Sequence, residues 1–186
     1  MVTIVSLWLP IVLSAVIVFV ASSILHMVMT YHKSDYRKLP GENVLRDVLR
    51  EMNIEPGFYA FPHHSGPKEM KTPEIIEKFQ KGPVGFITLV PNGPPAMGKY
   101  LGMWFGFCVL MGVLVAYITG RTLAAEAHYL AVFRVAGAVA FMGYSVGHLS
   151  NSIWMGQPWS STFKHVLDGF IYSLLTAGTF GWLWPR

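Results

Sequence analysis

Long apolar stretches alternate with one long polar segment along this chain. Residues 1–31 contain no lysine, arginine, aspartate or glutamate, and this run exceeds the roughly 20 apolar residues that a helix needs to cross a membrane. Three further apolar runs follow, at about 100–119, 126–148 and 163–184. The pattern predicts an all-α membrane protein in which four transmembrane helices form a bundle.

The polar segment between the first two apolar runs, residues 32–99, predicts a small α+β cap. Within 42–52 the apolar residues fall on one helical face and the charged residues on the other, which is typical of an amphipathic helix. A second helix is expected over 74–80, after the helix-starting pair Thr72-Pro73. Two β-prone runs, 58–61 and 84–90, predict short strands.

Three parts of the chain follow from this pattern. They are transmembrane helix 1 in residues 1–31, the cap in 32–99, and transmembrane helices 2–4 in 100–186, which form one membrane domain with helix 1.

Composition and charge agree with a membrane protein and predict its orientation. Hydrophobic residues make up 53% of the chain and charged residues only 13%, about half the charged share of a soluble domain. Ten of the 14 lysines and arginines fall in 32–99. Because basic loops stay on the cytoplasmic side, we expect this segment to be cytoplasmic and both termini to be outside, in the inner (plasma) membrane of a bacterial cell. Acidic residues are interleaved with the basic ones, so no nucleic-acid partner is expected.

Histidines near the expected inner ends of the helices are the candidate cofactor ligands. They are His26, His148 and His165. Neutral imidazole binds haem iron, copper or zinc, so haem or a metal ion is a candidate cofactor. The alternative interpretation is that these histidines form hydrogen-bonded caps or contact lipid headgroups. His32, His63 and His64 form a second candidate metal site, in the cap.

Charged residues inside the apolar runs are candidate contacts with a ligand or a partner. A charge within a membrane span is costly and usually faces protein, water or a ligand. Arg134 has three interpretations, namely snorkelling to headgroups, pairing within the bundle, or contact with a lipid or small anion. Asp168 lies four residues after Lys164, a spacing that allows an ion pair on one helix. The segment between the last two helices adds three candidates: Trp154, Gln157 and Trp159.

Small residues at helical spacing predict close helix packing, because small side chains allow backbones to approach within a membrane. The packing candidates are Gly102, Gly106, Gly143, Gly147, Gly169, Ser173, Ala177 and Gly181. These rows suit packing within this chain, against a second copy, or against another membrane protein.

Catalytic motifs are not convincing in this sequence. Residues 143–147 match GxSxG by letter, but that motif needs a strand-to-helix turn, whereas these residues fall inside an expected membrane helix. We therefore expect a non-enzymatic accessory or structural subunit that packs against other membrane proteins in the lipid bilayer. The alternatives are a haem- or metal-binding redox membrane protein that uses the inner-end histidines, and a lipid- or small-anion-binding protein that uses Arg134.

Overall fold

The computed structural model describes residues 1–185, which are mostly helical with one two-stranded sheet. The chain divides into two compact units. The second unit is Arg37–Pro95, and the first contains the described residues on either side of it. The helices and strands are α1 (Trp8–Ser23), α2 (Glu42–Glu51), β1 (Gly57–Phe61), α3 (Pro73–Lys81), β2 (Gly85–Leu89), α4 (Met97–Thr122), α5 (Tyr129–Ser145), α6 (Leu149–Met155) and α7 (Trp159–Trp182).

Three helical segments are long and apolar enough to cross a membrane: Val5–Val28, Met97–Thr122 and Tyr129–Met155. The first consists of α1 flanked by a 3₁₀ turn and a π-helical turn, and the third joins α5 to α6 through a 3₁₀ turn. These segments confirm three of the predicted apolar helices, and their length and composition fit a membrane protein. The fourth predicted span corresponds to α7, a helix of 24 residues that carries Lys164 and Asp168. Its crossing of the membrane stays a prediction.

The third apolar helix differs from its predicted bounds at both ends. Glu126, its expected first residue, lies in a turn, and α5 begins at Tyr129. The reason is that the His128 side chain caps the helix by accepting a hydrogen bond from the Leu130 backbone N–H. At the other end the helical segment does not stop at His148. It tightens into a 3₁₀ turn, and continues helically until Gly156, whose left-handed conformation ends α6.

Helix α7 packs most extensively on α5 and also contacts α1, while α1 lies against α4. Two glycines of the predicted row on α7 make this close approach possible. A Cβ on Gly169 would lie 2.8 Å from the Tyr144 backbone oxygen, and a Cβ on Gly181 would lie 2.6 Å from the Tyr129 ring. Ser173 and Ala177 of the same row are buried. This row therefore packs within the chain.

The other small residues have different surroundings. A Cβ on Gly143 would meet the end of the Met111 side chain, 2.0 Å away. Gly102, Gly106 and Gly147 have no atom of the described chain within 4 Å of an added Cβ. The structure thus gives these three positions open space, and their role in packing stays a prediction.

The unit Arg37–Pro95 contains the two helices and two strands expected there, each within about two residues of its predicted ends. Strands β1 and β2 pair antiparallel, with Tyr59 opposite Ile87. Thr72 occupies the position before α3, but its hydroxyl donates to the Glu69 carbonyl instead of accepting from the helix. The role of this unit as a cytoplasmic cap stays a prediction.

Candidate metal centre

Four histidines lie close together: His26, His32, His148 and His165. Three of them lie on turns that depart from a regular α-helix. His26 lies on the π-helical turn Ile24–Val28, and His148 lies on the 3₁₀ turn Val146–His148. His32 lies on a separate 3₁₀ turn, Tyr31–Asp35, which follows the first apolar segment. Such turns change the direction of side chains relative to a regular helix, and π turns occur often at functional sites. The fourth histidine, His165, lies in the regular helix α7.

The four imidazole rings form a single stack, which we call the histidine stack. The ring centroids are 4.4 Å apart between His26 and His32, 5.2 Å between His32 and His165, and 5.0 Å between His165 and His148. Successive rings are inclined by 27° or less. The structure therefore brings together all three predicted ligands, His26, His148 and His165, and adds His32 between them.

A buried carboxylate, that of Asp168 on α7, lies beside this stack. Asp168 is 2% exposed, and a buried charge is costly unless it is paired and hydrogen-bonded. The Tyr31 hydroxyl donates a hydrogen bond to its Oδ1. Its Oδ2 lies 2.7 Å from His32 Nε2 and 3.6 Å from His26 Nε2. Asp168 thus forms hydrogen bonds with Tyr31 and His32, and His26 lies within ion-pair distance of the same carboxylate.

His32 lies between two carboxylates. Its Nε2 contacts Asp168, and its Nδ1 lies 2.7 Å from Oδ2 of Asp35. A neutral imidazole has only one N–H. Both contacts are therefore satisfied together when the ring or a carboxyl carries an additional proton, or when a cation takes the place of that proton at one nitrogen.

Lys164 fixes the turn that carries His32. Its Nζ donates to the Tyr31 carbonyl oxygen, to Ser34 Oγ and to Asp35 Oδ1, each at 2.7 Å. Burial raises the pKa of Asp35, but the hydrogen bonds from Lys164 and His32 outweigh burial and hold that pKa below its ordinary value. The predicted Lys164–Asp168 pair was wrong, because each residue finds its partners on the turn Tyr31–Asp35 instead.

Tyr31 completes the environment of Asp168. Burial, together with the hydrogen bond to Asp168, raises the pKa of the Tyr31 hydroxyl. The hydroxyl therefore keeps its proton across the physiological range and acts as a donor to the carboxylate.

Replacing Lys164 with methionine should loosen the turn Tyr31–Asp35. The substitution keeps an unbranched side chain but removes three hydrogen bonds from one charged, partly exposed donor. Because water replaces part of these bonds, the net loss is about 1.5–3 kcal/mol in total. We expect amide hydrogen exchange over 31–36 to accelerate by roughly one to two orders of magnitude. Lys33→Met is the matched control, since Lys33 is exposed on the same turn. Equal exchange in the two variants would contradict the anchoring role.

A cavity of about 380 Å³ adjoins the histidine stack. Its lining combines aromatic rings with imidazoles and the Asp168 carboxylate. Its lining residues are His26, Trp104, Phe107, Gly143, Tyr144, His148, His165, Asp168 and Tyr172. The polar cluster therefore faces a space large enough for a small molecule.

The remaining predicted contact residues do not join this cluster. Arg134 is exposed on α5, and its side chain has no hydrogen bond or ion pair within residues 1–185. It precedes His148 by 14 residues, which is about 21 Å along a helix. Trp154 and Trp159 are largely exposed, and the Gln157 amide donates to Ser161 Oγ. His63 and His64 belong to the other unit.

Sequence reasoning missed Tyr31, Asp35 and Tyr172, and it assigned His32 to a site in the cap. One signal was present: polar and ionisable side chains are concentrated directly after the first apolar run, in residues 31–35. No family model, curated protein or solved structure matches this chain, so its function is inferred from the site itself.

Proposed function

We propose that this membrane protein binds one divalent transition-metal ion through His26, His32 and Asp168. The observation that supports the proposal is the convergence of these three side chains, each of which offers a ligand atom within 4.8 Å of the others. Two imidazoles and one carboxylate form a donor set used for zinc and for non-haem iron, whereas magnesium and calcium prefer oxygen ligands alone.

The distances suit a metal ion after a small adjustment. Ligand atoms about 2.1 Å from a tetrahedral ion lie about 3.4 Å from one another. The 3.6 Å separation of His26 Nε2 and Asp168 Oδ2 is close to that value. The 2.7 Å contact between His32 and Asp168 is a hydrogen bond, and it would have to widen by about 0.7 Å when a metal replaces the shared proton.

The surrounding side chains support His32 as a ligand. A histidine that binds a metal through one ring nitrogen usually donates its other N–H to a carboxylate or carbonyl. Asp35 occupies that position for His32, and Lys164 in turn holds Asp35. A second possible ligand group, His32 with Asp35 and His165, is less favourable because Asp35 is engaged by Lys164.

Three protein ligands leave a coordination position for water or a substrate, as in catalytic rather than structural zinc sites. His26 and Asp168 both line the adjoining cavity. The proposed ion would therefore be accessible from that cavity, a property that favours a reactive or substrate-binding metal over a purely structural one.

Titration of the metal-stripped, detergent-purified protein with Co²⁺ tests this proposal. We expect saturable binding of one ion per chain, with visible absorption from a site that includes nitrogen ligands. His26→Ala and His32→Ala should each weaken binding roughly a hundredfold. Loss of a residue that only hydrogen-bonds to a metal ligand lowers affinity by up to about a hundredfold, and loss of a ligand itself should cost at least as much. His63→Ala, an exposed histidine of the other unit, should bind as the parent protein does. Absence of a saturable site, or equal losses in all three variants, would contradict the proposal.

The accessory-subunit hypothesis and the use of Arg134 for a lipid or small anion stay predictions, as do the orientation and the choice of membrane. One reason for the subunit hypothesis was the row from Gly169 to Gly181, which packs against α5 of the same chain. Haem binding by His26 and His148 is less well supported than a single ion, because His32 and His165 lie between these two rings in the stack.

A further inference from the structure

The cavity beside the histidine stack has features of a ligand site in its own right. Its volume of about 380 Å³ falls in the range of small-molecule pockets, roughly 300–1,000 Å³. Its aromatic wall consists of Trp104, Phe107, Tyr144 and Tyr172, with Tyr172 packed edge-on against both Trp104 and Tyr144. Such a wall offers ring faces and edges to a flat apolar molecule.

A buried polar atom in this wall lacks a partner. Tyr172 is 3% exposed, and among the described residues its hydroxyl has no hydrogen-bond partner. An unsatisfied buried hydroxyl is costly, and such groups in folded proteins usually have a partner that explains them. Tyr172 lines the cavity, so a small rotation of its ring would bring the hydroxyl to a ligand oxygen, which would supply the missing acceptor.

The cavity reaches the surface between two of the apolar segments. Phe107 on α4 is 37% exposed, and Gly143 on α5 is exposed as well. Both helices belong to segments apolar enough to cross a membrane. At Gly143 the edge of the cavity consists of backbone, and the end of the Met111 side chain occupies the place that a Cβ would take. A ligand could therefore enter from the surrounding lipid.

The charge of the cavity selects among membrane-soluble molecules. None of its lining residues is a lysine or an arginine, and Asp168 contributes a carboxylate. The nearby Lys164 is already engaged by the turn Tyr31–Asp35. A phosphate or carboxylate headgroup would meet the Asp168 carboxylate without a free cation, so a neutral headgroup is favoured.

We propose that this cavity binds a membrane-soluble molecule with a neutral, oxygen-bearing aromatic or quinonoid ring, of the quinone class. The ring lies against Trp104 and Tyr144, and one ring oxygen accepts a hydrogen bond from the Tyr172 hydroxyl. This proposal does not depend on the metal ion, because the aromatic wall and the Tyr172 hydroxyl are present without it.

Quenching of tryptophan fluorescence by a decyl-substituted benzoquinone tests the proposal on the full-length, metal-stripped protein in detergent. We expect a saturable component that requires Trp104 and is lost in Trp104→Phe. Tyr172→Phe, which keeps the ring, should weaken binding about three- to tenfold through loss of one hydrogen bond. Phe107→Ala should weaken binding about three- to tenfold by removing part of the aromatic wall. Phe163→Ala is the matched control, since Phe163 is exposed and does not line the cavity.

Three outcomes would overturn the proposal. The first is quenching without saturation, which indicates partition into detergent only. The second is equal affinity in Tyr172→Phe, Phe107→Ala and Phe163→Ala. The third is displacement of the quinone by oleate or phosphatidylglycerol at comparable concentration, which would assign the cavity to an anionic lipid. Since the protein carries no metal in this experiment, failure here leaves the Co²⁺ titration as a separate test of the metal site.

Discussion

Asp168→Ala should abolish tight metal binding and lower the free energy of unfolding by about 3–5 kcal/mol, the usual cost of breaking a buried charged pair. Asp168 is almost fully buried, and it accepts contacts from Tyr31 and His32. Its removal takes away a proposed ligand and leaves two partly buried groups, the Tyr31 hydroxyl and His32 Nε2, without their acceptor. Co²⁺ titration and denaturant- or heat-induced unfolding in detergent measure the two effects.

Two further variants separate these effects from a general loss of structure. Asp168→Asn retains an oxygen acceptor for Tyr31, so it should recover part of the stability while metal binding stays weak. Asp47→Ala removes an exposed partner of Arg50, and exposed pairs contribute at most about 1 kcal/mol. If Asp168→Ala and Asp47→Ala have the same free energy of unfolding and the same affinity for Co²⁺, the central role assigned to Asp168 is contradicted.

Gly169→Ala should destabilise the protein by about 1–3 kcal/mol, the usual cost of overpacking. The new Cβ would lie 2.3 Å from Ser145 Oγ and 2.8 Å from the Tyr144 backbone oxygen. A backbone atom cannot move aside without shifting α5 relative to α7. The helix propensity of alanine offers a gain of at most about 1 kcal/mol over glycine, so overpacking decides the sign.

The matched control is Gly102→Ala, at a position where a Cβ meets no described atom within 4 Å. There the gain in helix propensity acts alone, and the variant should be as stable as the parent or slightly more so.

His165 lies on α7 one turn before Gly169, so we also expect Gly169→Ala to weaken Co²⁺ binding modestly by displacing the histidine stack. Equal unfolding curves for the two variants would contradict the close α5–α7 approach.

Hydropathy predicts much of the fold because the length and apolar character of a segment can be read without knowledge of tertiary contacts. An apolar run of sufficient length is a candidate membrane helix wherever it occurs, and the bounds of α4 differ from the prediction by only three residues at each end. The elements of residues 37–95 follow from local patterns such as Thr72-Pro73. Helix ends depend on individual side chains, and the cap formed by His128 explains why α5 starts at Tyr129.

The candidate site was less predictable, because its geometry depends on irregular turns and on contacts distant in sequence. The sequence indicated His26, His148 and His165 from their shared position near helix ends. It did not indicate that a π turn at Ile24–Val28 and two 3₁₀ turns would direct their side chains into one stack with His32. The partners of Asp168 lie more than 130 residues away along the chain, beyond any pattern of helical spacing.

The X-ray absorption spectrum of the protein loaded with one Zn²⁺ per chain tests the central claim most directly. A site formed by His26, His32 and Asp168 predicts nitrogen and oxygen neighbours at about 2.0–2.1 Å, with the outer-shell scattering of two or more imidazole rings. His26→Ala should remove one ring from that signal, and His63→Ala should leave it unchanged. A spectrum without imidazole scattering, or one identical in both variants, would contradict the proposed metal centre.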